Sequence, residues 1–157
     1  MKVSVLDASA IINMKKKVKV ADQWDYFKSL EGEVDAGRIA ICGGVIREVS
    51  EGPHPDMPGA WARGMKDRMA HPIEPDPDRV ADVMLVAGDV IDASSDREQA
   101  DPDVVALALQ LQAAGHEVIV VTDDRVDRPP IKISLVTACE RVGIDTRSTD
   151  EFIGAGS

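Results

Sequence analysis

The sequence predicts an α/β domain built around a mostly parallel central sheet. Three observations lead there. Short β-branched runs alternate with helical stretches along the chain. Two of those runs, KVSVL and EVIVV, end on acidic residues, as strands do when a site lies beyond their carboxyl ends. The segment DPDVVALALQLQAA carries both start and stop signals of a full helix.

The elements follow in order. Lys2–Leu6 reads as a buried strand ending on Asp7, and Ser9 begins a helix through Ala10, Ile11 and Ile12. Lys15–Lys19 forms a basic patch. Asp22 is placed to cap a second helix whose Trp24, Phe27 and Leu30 share one face. Arg38–Cys42 reads as a strand, broken by Gly43-Gly44, and Val45–Val49 opens another helix carrying Glu48. Prolines and glycines from Gly52 to Gly59, and prolines again from His71 to Asp78, mark loops around a helix at Ala60–Ala70. Arg79–Val90 resumes a helical pattern. Asp101 is expected to cap the helix that Pro102 opens and Gly115 closes. Glu117–Val121 is a strand closed by Thr122-Asp123-Asp124, Ile131–Val142 a helix, and Gly143–Thr146 a last short strand.

Composition narrows the function. Net charge is −10, with 28 acidic against 18 basic residues, the wrong sign for a passive nucleic-acid binder. It suits a protein that gathers carboxylates around a cation, or one with a basic partner. Aromatic residues make up only 3% of the chain, which argues against a base-stacking platform. Cys42 and Cys139 sit in apolar stretches without metal-ligand spacing and are expected to be buried free thiols. His54, His71 and His116 form no metal motif. No segment approaches the roughly 18 apolar residues of a membrane span, and no signal-peptide pattern opens the chain, so a cytoplasmic location is expected.

Taken singly, each acid has a structural explanation: Asp7 and Asp101 as helix caps, Asp123 and Asp124 as turn residues, Glu48 as surface. Jointly they make a pattern. Two strand ends bring Asp7 and Asp123/Asp124 to one edge of the sheet, where two helix N-termini are expected to add Glu48 and Asp101. Carboxylates so crowded repel one another, and a divalent cation relieves that repulsion. Oxygen ligands without His or Cys favour Mg²⁺ or Mn²⁺ over zinc. Such a site points to metal-assisted phosphodiester hydrolysis.

These residues resemble the PIN-domain ribonucleases, most closely a bacterial subgroup related to the toxins of type II toxin–antitoxin pairs. The likeness runs from Val3 to about Phe152, through VLDASAII, VIREVSEG, ADPDVVALAL, VIVVTDDR and IKISLVTACERVGI. It implies a single PIN-like three-layer nuclease domain spanning residues 1–157. Asp7, Glu48, Asp101 and Asp124 would form the catalytic, metal-binding acidic set. Ser9 would support the metal or its water, and Thr122 would end the strand before the last acid. Asp124 is preferred to its neighbour Asp123 because family members place the acid two residues after that threonine. The resemblance further implies an RNA substrate, a small antitoxin partner and a homodimer. Asp103 departs from the small apolar residue that many PIN toxins carry there.

Lys15, Lys16, Lys17 and Lys19, with Arg125, Arg128 and Lys132, are expected near the rim of the acidic pocket, either holding RNA phosphates or as a solvated, salt-paired surface. Trp24 and Trp61 read as core or interface residues. Two other functions are compatible with strand-end acids. One is a PIN-like domain that binds RNA or scaffolds without cutting. The other is a phosphoreceiver signalling domain, which needs adjacent acids after the first strand; here Asp7 stands alone.

Overall fold

The computed structural model describes residues 1–51 and 56–155, so His54 and the front of the first proline-rich loop lie outside the described residues. Four strands, β1 (Lys2–Leu6), β2 (Ile39–Ala40), β3 (Glu117–Val121) and β4 (Asp145–Arg147), form one sheet in the order β2-β1-β3-β4. Every pairing is parallel. Parallel sheets need cover on both faces, and the β-branched runs supply it: Val3, Val5, Leu6, Val118, Val120 and Val121 are all buried.

Helices α1 (Ala8–Lys17), α2 (Gln23–Asp35), α3 (Gly43–Val49), α4 (Met57–Met65) and α8 (Thr149–Ala155) form one group, in which α1 contacts α3, α4 and α8. Helices α5 (Pro77–Ala87), α6 (Asp101–Ala113) and α7 (Leu135–Arg141) pack together as the other. Helix α6 lies on β1 and β3 and is apolar nearly all round, with Val104, Val105, Ala106, Leu107 and Ala108 fully buried. The result is the expected α/β arrangement of helix, sheet and helix layers.

The chain steps from β1 outward to β2, then returns past β1 to β3 and β4. The order therefore reverses between β1 and β3, and beyond their carboxyl ends such a sheet opens a crevice.

Several boundaries differ from expectation, for local reasons. Gly43 and Gly44 do not break the chain but begin α3. A Cβ on Gly44 would stand 3.1 Å from the Cβ of Ala100, so glycine lets α3 pack against the start of α6. Asp101 is the first residue of α6, not its cap; Ala100 holds the cap position. The helix expected from Ile131 starts at Leu135, because Arg128 and Lys132 pair backbone to backbone and Ser134 caps through the Thr137 amide at 3.1 Å. The helix expected at Ala60–Ala70 runs Met57–Met65 behind an Asp56 cap and tightens into a 3₁₀ turn at Lys66–Arg68. That expected at Arg79–Val90 begins at Pro77 and ends in a 3₁₀ turn at Gly88–Val90. The Arg38–Cys42 strand shortens to two residues, and the last strand starts after Gly143, whose φ of 76° closes α7. Helix α8 was not anticipated.

Phe27 and Leu30 are buried as expected, but Trp24 is 69% exposed and stays out of the core. Trp61 is buried against Phe27, with ring centroids 5.3 Å apart. Both cysteines are buried and free. Among the described residues, no helix is long and apolar enough to cross a membrane.

Leu107 is fully buried at the centre of α6. Truncating it to alanine is expected to cost about 2–5 kcal/mol of unfolding free energy, read from urea denaturation.

Candidate functional site

The site starts from the register of β1 and β3. Leu6 lies opposite Val121, so Asp7 and Thr122 leave the sheet side by side. The Asp7 carboxylate is 4% exposed. Its Oδ1 accepts hydrogen bonds from the Ala10 amide at 2.9 Å and the Ser9 hydroxyl at 2.8 Å. Its Oδ2 accepts from the Thr122 hydroxyl at 2.6 Å. Asp7 is thus both the cap of α1 and a buried acid. Ser9 and Thr122 stabilise the next turn as well. The Ser9 hydroxyl accepts from the Asp123 amide, and the Thr122 hydroxyl from the Asp124 amide, each at 3.0 Å.

The adjacent acids at positions 123 and 124 diverge. The Asp123 carboxylate accepts from the Thr149 amide at 2.9 Å, the Thr149 hydroxyl at 2.7 Å and the Asn13 amide at 2.7 Å. It ties the start of α8 to α1. Desolvation works to raise the Asp123 carboxyl, but the Thr149 and Asn13 bonds together hold it below its usual value. Asp124 joins the other acids instead. Its Oδ2 accepts from the Leu135 amide at 3.0 Å and stands 3.6 Å from the Lys132 ammonium.

Lys132 also lies 3.0 Å from Oδ2 of Asp101, so one ammonium serves both carboxylates. Asp101 occupies the first turn of α6, where the helix dipole favours an anion. Glu48 is an exposed residue in the last turn of α3, which corrects the expectation that a helix N-terminus delivers it. It lines the wall of a cleft of about 280 Å³ together with Lys132, Arg128, Glu51 and Glu98.

The electrostatics are those of partly desolvated neighbouring acids. Burial pushes the Asp7 carboxyl up to about 7, against the pull of its hydrogen bonds, and Asp101 adds to the rise. Desolvation raises Asp101, which Lys132 counteracts and Asp124 reinforces. Glu48 is raised by desolvation first and then by Asp101. All four acids present hard oxygen donors, and a cation already stands between two of them. That donor chemistry fits Mg²⁺ or Mn²⁺. Among the described residues, no three His, Cys, Asp or Glu side chains are gathered closely enough to make a ready-formed cage.

The basic residues divide. Arg128 and Lys132 line the cleft beside Glu48. Lys15 and Lys17, expected at the rim, instead close the far turn of α1; Lys15 is about 12 Å along the helix axis from Asp7. They pair with Asp56 at 3.5 Å and Asp150 at 2.9 Å. Lys16 is exposed on the same turn, and Arg125 stands 3.9 Å from Glu151. Asp103 points to Gly44, not to Asp7. His71 and His116 meet edge to face, 5.1 Å between centroids, where the Gly37 carbonyl and the start of the chain hold them at the opposite end of the sheet. Sequence reasoning placed Lys132 on the rim and missed its role between the acids. It missed Asn13 and Thr149 altogether, because both act through partners more than 20 residues away.

Fold and site together define an α/β domain with an acidic cluster at the point where the strand order reverses. The chain belongs to the family described as Domain of unknown function (DUF4411), whose profile matches residues 4–156. No curated protein matches the sequence.

The raised Asp7 carboxyl has a consequence for stability. Folded Asp7 keeps its proton up to about pH 7, whereas the unfolded chain releases it near 3.8. The stabilisation is complete below the lower value and is lost as pH rises through the upper one. In EDTA, wild-type stability relative to Asp7→Asn should therefore fall between about pH 4 and pH 7, by an amount on the order of a few kcal/mol, measured by denaturation at each pH.

Proposed function

We propose that this chain is a PIN-like, metal-dependent endoribonuclease in which Asp7, Glu48, Asp101 and Asp124 bind Mg²⁺ or Mn²⁺. The observation that carries this reading is the pairing of Asp101 and Asp124 about Lys132, with the buried Asp7 close enough to feel the charge of Asp101, beyond the carboxyl ends of the two central strands. A divalent cation bound there would lower the pKa of a water and stabilise charge on a phosphate.

The chain's own residues prepare that chemistry. Thr122, Ser9 and the Ala10 amide fix the Asp7 carboxylate in a single orientation. The Leu135 amide does the same for Asp124. Asp123 serves the scaffold instead of the ligand set, since Thr149 and Asn13 occupy its oxygens. Glu48 and Arg128 face the cleft, where an RNA phosphate would lie between an acid that helps hold the metal and a guanidinium that neutralises charge.

By the same resemblance the protein would be the toxin of a type II toxin–antitoxin pair, a homodimer restrained by a small antitoxin in the cytoplasm. An apolar cleft between α2 and α4, lined by Trp24, Phe27, Met57, Trp61 and Met65, offers a surface of the kind a protein partner covers.

A second reading is a PIN-like domain that holds RNA or serves as a scaffold without cutting. One observation favours it: Lys132 already neutralises part of the acidic charge that a metal would otherwise satisfy.

Incubating a mixed tRNA and mRNA pool with the purified protein separates the two. The enzyme reading expects cleavage with Mn²⁺, none with EDTA, and a loss of about a hundredfold or more in rate for Asp7→Asn. Intact RNA under all conditions, with folded, metal-bound protein, shifts the reading to the binder or to an enzyme selective for an RNA outside the pool. Replacing Arg128, which lines the cleft beside Glu48, by glutamine should weaken RNA binding and flatten its salt dependence; unchanged filter-binding curves would remove this residue from the RNA surface.

A further inference from the structure

Lys132 is a cation built in between two acids of the site, Asp101 and Asp124. Its side chain is only 11% exposed, and its ammonium stands 3.0 Å from Asp101 and 3.6 Å from Asp124. Among the described residues, no other cation pairs with either acid. Nor does this lysine arrive on a loose segment. The Arg128 amide donates to the Lys132 carbonyl at 2.8 Å, and the Lys132 amide donates back to Arg128 at 3.1 Å. One residue on, the Ile133 amide donates to the Asp89 carbonyl at 2.9 Å. The backbone of the turn is closed on both sides of the lysine, and four flexible methylenes then carry its charge to the two acids.

We propose that Lys132 is a tethered counter-ion that keeps the place between Asp101 and Asp124 and must be displaced when a divalent cation binds, so that it sets the metal affinity of the site. The proposal rests on the metal-site reading above. Electrostatics supplies the reason. Two positive charges cannot both sit within about 4 Å of the same carboxylate pair without strong repulsion, because the pair is partly withdrawn from water. Whichever binds better takes the place. The displaced ammonium also has somewhere to go: Lys132 lines the cleft that holds the carboxylates of Glu48, Glu51 and Glu98. Without metal, the lysine keeps Asp101 and Asp124 from repelling one another, which preserves the site at the cost of metal affinity. Such an arrangement makes occupancy respond to metal concentration, which a permanently assembled cage would not do.

The test is Mn²⁺ binding to the full chain, followed by isothermal calorimetry and by loss of the free-Mn²⁺ electron paramagnetic resonance signal. Lys132→Gln should bind Mn²⁺ about tenfold or more tightly than wild type, whereas Lys132→Arg, which keeps the charge, should stay near wild type. Equal and measurable affinity in wild type and Lys132→Gln overturns the competition and leaves the metal reading standing. Absence of binding in all three proteins overturns both. Because removing the lysine leaves two acids unpaired, folding of the variant is checked by circular dichroism in EDTA. A second measurement needs no variant: with ¹³Cε-labelled lysine in the wild type, Mg²⁺ should shift the Lys132 resonance along a saturable curve, and an unmoved resonance under saturating Mg²⁺ contradicts displacement.

Discussion

The pairing of β1 with β3 is the constraint from which the site follows. Their register fixes Leu6 opposite Val121, and the next residue on each strand, Asp7 and Thr122, is then committed to the same point in space. The hydroxyl of one donates to the carboxylate of the other at 2.6 Å. A one-residue slip would turn each side chain to the opposite face and dissolve this contact. The β-branched residues that bury both faces of the two strands therefore specify the position of the acid as well as the stability of the core.

From that contact outward, the site is assembled by helix ends of different kinds. Asp7 begins α1, Asp101 opens α6, Glu48 stands in the closing turn of α3, and Asp124 receives the first amide of α7. Gly44 makes the convergence of α3 and α6 feasible, since any side chain there would press on Ala100. The cost of the convergence is electrostatic. Carboxyls at Asp7, Asp101 and Glu48 are all pushed above their ordinary values, mainly by desolvation and secondarily by neighbouring acids, Asp101 acting on Asp7 and Glu48, and Asp124 on Asp101. A cluster of this kind is tolerated when hydrogen bonds and a cation compensate it. Thr122, Ser9 and backbone amides supply the first, and Lys132 the second.

Much of this was legible in the sequence. The runs KVSVL and EVIVV are read as strands by composition alone, and the parallel α/β fold follows from their alternation with helices. The acids at strand ends were visible for the same reason. What stayed hidden depends on contacts between distant segments. Glycines 43 and 44 carry a break signal locally, yet open a helix, with Glu74 lying close against Gly43 and Ala100 against Gly44. Asp123 and Asp124 are chemically identical neighbours; only the arrival of Thr149 and Asn13 at one, and of Leu135 and Lys132 at the other, separates their roles. Lys132 looked like one more rim charge because its turn is closed by its pairing with Arg128, for which local patterns give no sign. Helix α8 is short and begins where Asp123 caps it, so its stabilisation too comes from across the chain.

The proposed chemistry depends on these four acids holding a divalent cation, and anomalous diffraction from a crystal soaked in Mn²⁺ tests that most directly. The expected result is a manganese peak bordered by Asp7, Glu48, Asp101 and Asp124, with the Lys132 ammonium moved out of the space between Asp101 and Asp124. A crystal that shows no peak there at saturating Mn²⁺, with Lys132 still bridging the two acids, would contradict it.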